Sequence, residues 1–74
     1  MTDTRDDVAA AIVRYLEAHP DAADTAEGVR DSWLGRSGAS LSDVNTALER
    51  LVRLGNVERI QRGTAAVFRA RRAG

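Results

Sequence analysis

The chain has 74 residues, enough for one domain with a thin core. Its 43% hydrophobic and 30% charged residues suit a globular fold, no apolar run approaches the ~20 residues of a membrane span, and the absence of cysteine excludes disulfides and thiolate metal sites. Net charge is zero but unevenly spread: residues 1–39 hold eight acids against four arginines, and residues 40–74 hold three acids against seven.

The first helix is expected over residues 5–18. Thr4 stands three residues before Asp7 in the form of a capping box, and Val8, Ala11, Ile12, Tyr15, Leu16 and His19 fall on one stripe at ~100° per residue. Pro20 ends it, because the residue before a proline is pushed out of the helical region. Residues 20–24 then read as a short polar connection. A second, shorter helix is expected over residues 25–34, with Ala26, Val29 and Trp33 inward and Gly35 as its stop. Gly28 weakens it by ~1 kcal/mol relative to alanine.

Residues 36–39 form a turn. Ser40 caps a third helix over residues 41–54, with Asp43 at its third position. Leu41, Val44, Leu48, Leu51 and Val52 make its apolar face, and Gly55 suits the left-handed residue that closes a helix. Val57–Gln61 and Ala65–Arg69 are β-prone and flank the three-residue loop Arg62-Gly63-Thr64, which predicts a hairpin with a bulge in its first strand. The ordered core is expected over residues 5–70, followed by a frayed tail at 71–74.

The order helix, helix, turn, helix, hairpin resembles the winged helix-turn-helix family of bacterial DNA-binding regulators. The resemblance covers residues 5–70 and is sharpest at residues 40–59, where Val44, Leu48 and Leu51 match the family's core positions, Gly55 its glycine and Val57 the start of its wing. It implies a mainly α fold, a three-helix bundle plus a small β-hairpin. It also implies a transcriptional regulator whose third helix enters the major groove of double-stranded DNA. Ser42, Asp43, Asn45 and Thr46 match positions where family members touch DNA. Asn45 has the donor–acceptor pair that reads adenine, Arg50 reaches guanine or phosphate, Arg53 shares the outward polar face, the wing-tip Arg62 falls where family wings touch phosphate or the minor groove, and Arg59, Arg69, Arg71 and Arg72 add phosphate contacts. The DNA-binding set expected is therefore Ser42, Asn45, Thr46, Arg50, Arg53 and Arg62. Asp43 opposes phosphate, and Glu49 is placed to pair with Arg53 four residues on.

Catalysis finds little material here. One histidine, no cysteine, no glycine-rich phosphate loop and no metal-ligand spacing leave no enzyme, cofactor or metal expected. A neutral chain is unusual for a DNA binder, so an alternative stays open: a winged helix that binds another protein. A homodimer is a further possibility, with Val13 at the edge of the first helix's stripe as its marker. The polar, acidic N-terminal stretch is unlike a signal peptide and a cytoplasmic location is expected.

Overall fold

Apolar residues at helical spacing shape the first element, α1 (Thr4–Ala18), in a computed structural model that describes residues 4–35 and 38–71, with the side chains of residues 4–6 excepted. Val8, Ile12 and Leu16 are buried, Ala11 and Tyr15 are half-buried, and His19 is exposed just beyond the helix. The expected Thr4–Asp7 capping box, the Arg36–Ser37 part of the turn and the tail beyond residue 71 lie outside the described residues.

The supposed connection at residues 20–24 contains a strand, β1 (Ala23–Asp24), which corrects the picture of a hairpin alone. A three-stranded antiparallel sheet forms, in the order β1-β3-β2, from β1, β2 (Val57–Arg62) and β3 (Ala65–Ala70). Ala23 lies opposite Arg69 and Asp24 opposite Phe68. The architecture is thus three helices against a small antiparallel sheet.

The second helix also departs from expectation. α2 (Ala26–Gly28) is capped by Thr25, whose hydroxyl accepts from the Gly28 N–H, and it widens at once into a π-turn over Val29–Trp33. The Leu34 N–H donates to Val29 O at 3.0 Å, five residues back. The wider coil keeps Val29 and Trp33 together on the inner side, where both are buried. Trp33 stacks on Tyr15 of α1, with ring centroids 5.0 Å apart and planes 9° from parallel.

α3 (Leu41–Leu54) has the bounds its caps dictate. Ser40 Oγ accepts from the Asp43 N–H at 3.0 Å. At the other end Gly55 takes φ 84°, and the Asn56 N–H donates to Leu51 O. This left-handed closure satisfies carbonyls that would otherwise lose their partners, at a φ that costs only glycine little. Val44, Leu48 and Leu51 are buried as expected, and Ala47 joins them; Leu41 and Val52 are half-buried. Val57 of β2 and Phe68 of β3 complete one core with α1, the π-turn and α3.

The hairpin is more regular than its sequence implies. Register runs unbroken from Val57 opposite Ala70 to Arg62 opposite Ala65, so there is no bulge. The loop is two residues, Gly63-Thr64, rather than three. Within this loop positive φ falls on Gly63 and not on Thr64 (Gly63 φ 62°), which gives the mirror-image turn that matches strand twist. The backbone N–H of Arg71 still donates to Asn56 O at 3.1 Å, one residue past the expected end of the core. Among the described residues no helix is long and apolar enough to cross a membrane.

Candidate nucleic-acid interface

Seating α3 on its apolar side turns Ser42, Asn45, Thr46, Glu49, Arg50 and Arg53 outward, and all six are exposed. At 100° per residue, Ser42, Thr46, Glu49 and Arg53 form the crest of this face, with Asn45 on one flank and Arg50 on the other. The Thr46 hydroxyl donates to Ser42 O at 2.9 Å, so its proton is held by its own helix while its lone pairs face outward.

The Asn45 flank faces the hairpin across a groove of about 400 Å³. Asn45 and Glu49 form one wall, and Arg59, Gln61 and Thr64 the other. Thr25–Glu27 close one end, and Phe68 lies among the lining residues. Strand alternation explains the second wall. Val57, Arg59 and Gln61 share the sheet face that meets the helices, while Glu58, Ile60 and Arg62 lie on the other. Arg62 therefore stands beside the turn on the outer face of the ribbon, not in the groove with Asn45. The two are brought to one end of the molecule but not into one pocket. The Gln61 side-chain amide donates to Gly63 O at 3.1 Å and braces the turn.

Charge is distributed differently from the sequence expectation. Glu49 does not pair with Arg53; its carboxylate lies 3.8 Å from Arg59 NH2 of β2. The Arg59 guanidinium also sits over the Phe68 ring, 5.8 Å from its centroid. Arg69 is tied to Glu58 across the strands, which occupies one expected phosphate contact. Among the described residues Arg53 and Arg62 have no ion-paired or hydrogen-bonded side-chain partner. The groove itself, with Glu27 and Glu49 against Arg59, is slightly acidic, while beside it Arg53 on the crest of α3 and Arg62 at the hairpin tip carry positive charge with no ion-paired partner among the described residues. Among the described residues the displaced titrations lie elsewhere, on one exposed pair: a hydrogen bond from Arg30 Nε, aided by its charge, holds the Asp31 carboxyl below its ordinary range, and the same contact raises Arg30.

Of the expected set, Ser42, Asn45, Thr46, Arg50 and Arg53 share one face, and Arg62 flanks it. Sequence reasoning missed Gln61, Thr25 and Glu27 as groove residues. The period-two pattern of Val57, Arg59 and Gln61 was the available signal for Gln61; only the unforeseen β1 brings Thr25 and Glu27 alongside. No protein-family model, curated protein or solved structure matches this chain.

Proposed function

We propose that the chain is a double-stranded DNA-binding protein of the winged helix-turn-helix kind, acting as a transcriptional regulator. The crest of α3 enters the major groove and the hairpin tip rests on the sugar–phosphate backbone. One observation carries the reading: a capped, 14-residue helix that exposes Ser42, Asn45, Thr46, Glu49, Arg50 and Arg53 next to a hairpin, with Arg53 and Arg62 lacking an ion-paired partner among the described residues. A major groove admits one α-helix, and guanidinium groups on either side supply the phosphate contacts that dominate affinity. Ser42, Asn45 and Thr46 stand toward the N-terminal end of α3, where base edges are read, and Arg50 reaches guanine or phosphate from the other flank. The order of helices and hairpin supports the same reading.

The test is fluorescence anisotropy of a labelled mixed-sequence duplex as salt is raised from ~10 mM to ~200 mM, a range over which phosphate-driven binding falls steeply. Binding that weakens linearly in log–log form supports the proposal. The acidic lining at Glu27 and Glu49 favours a second reading, a winged helix that docks on a basic protein segment. No duplex binding even at ~10 mM salt, where screening is weak, selects that one.

A further inference from the structure

A second groove, of about 290 Å³, lies at the opposite end of the sheet from the Gly63–Thr64 turn. Val13, Leu16 and Glu17 of α1 form one wall. Gly55, Asn56, Ala70 and Arg71, where β2 begins and β3 ends, form the other. Each wall carries one charge at an exposed position, and the signs are opposite: Glu17 on α1, Arg71 across from it. Neither has an ion-paired side-chain partner among the described residues, and they do not pair with each other. Leu54, the residue before Gly55, is 65% exposed.

We propose that this groove is the seat of a second copy of the chain, in a two-fold dimer. A two-fold axis through the groove lays the α1 wall of each copy against the Gly55–Arg71 side of the other. In such an isologous contact, residue i meets j and j meets i, so one complementary pair serves twice. Glu17 of each protomer then meets Arg71 of its partner, and the apolar strip of Val13 and Ala70 is covered between them. The opposite signs on the two walls are what select this occupant, since a self-complementary surface fits its own copy. Eleven acids against eleven arginines leave no net charge to drive two copies apart. The contact leaves the crest of α3 and the hairpin tip uncovered, so it is independent of what those surfaces bind.

The test is sedimentation equilibrium of the full chain over a wide concentration range, with E17R, R71E and the double swap E17R/R71E. Both positions are exposed, and circular dichroism melting checks that each variant folds. The wild type is expected to dimerise. Each single swap should weaken the dimer by roughly tenfold or more, because it sets like charges together twice in one interface, and the double swap should restore it. A wild type that stays monomeric at every concentration overturns the proposal. So does a dimer indifferent to the single swaps, or one that the double swap fails to restore. The readout involves no DNA, so its failure is distinct from failure of the DNA-binding reading.

Discussion

Glu49 on α3 reaches across the groove to Arg59 on β2, 3.8 Å away, and so neutralises a guanidinium that lines it. Both side chains are about half exposed, so the pair adds little stability. Its effect is on charge. Glu49→Gln is expected to release Arg59 for phosphate, to tighten duplex binding by severalfold, and to steepen the salt slope by ~0.9, the increment of one further contact. Anisotropy titrations of the variant at several salt concentrations check this. Weaker binding would mean that Glu49 itself contacts the duplex.

The arginines separate into two kinds of effect. Arg53→Ala and Arg62→Ala should weaken binding to every duplex alike and flatten the salt slope by ~1 each. Asn45→Ala and Arg50→Ala should cost ~1–3 kcal/mol on a cognate site and less on a random one, as expected for base contacts. Competition titrations with selected and scrambled duplexes separate the two patterns.

Gly28 is held by its neighbour and not by its own dihedrals. A Cβ built there would stand 2.0 Å from Asp24 Oδ1, the oxygen that accepts the Thr25 N–H at 2.8 Å. Alanine is normally better than glycine inside a helix by ~1 kcal/mol. Here Gly28→Ala forces the carboxylate away from its hydrogen bond, and the sign reverses to a loss of ~1–2 kcal/mol. Asp24→Ala removes the obstacle, so in that background Gly28→Ala should stabilise. Thermal melts of the four proteins form a double-mutant cycle with a large coupling.

Trp33 closes the core by stacking on Tyr15. Truncating a buried tryptophan costs ~3–5 kcal/mol, most of what a domain this small has to lose. Trp33→Ala should therefore be largely unfolded at room temperature, while Trp33→Phe keeps a ring on Tyr15 and the fold. Far-ultraviolet circular dichroism against urea distinguishes them.

α3 was legible to its last residue because local chemistry sets both ends: a serine hydroxyl at residue 40 and a left-handed glycine at 55. What sequence reading lost was decided at long range. β1 is two residues with no period to detect, and it exists only because β3 offers an edge at Phe68 and Arg69. The π-turn follows from packing Trp33 on Tyr15, some eighteen positions earlier. The bulge vanished because Ile60 finds Val67 directly opposite on the outer sheet face, an apolar pair that regular alternation accommodates. Glu49 had a helical neighbour in Arg53, yet the hairpin fold brought Arg59 nearer. For the candidate site, the outward face of α3 could be read from periodicity, while the composition of the groove beside it depended on which strand face met the helix.

The most direct measurement is a set of amide shift perturbations on isotope-labelled protein as duplex DNA is added at low salt. They should concentrate on residues 42–53 of α3 and on 61–64 at the hairpin tip, with Val8–Leu16 of α1 unmoved. Perturbations confined to α1, or none at all, would contradict it.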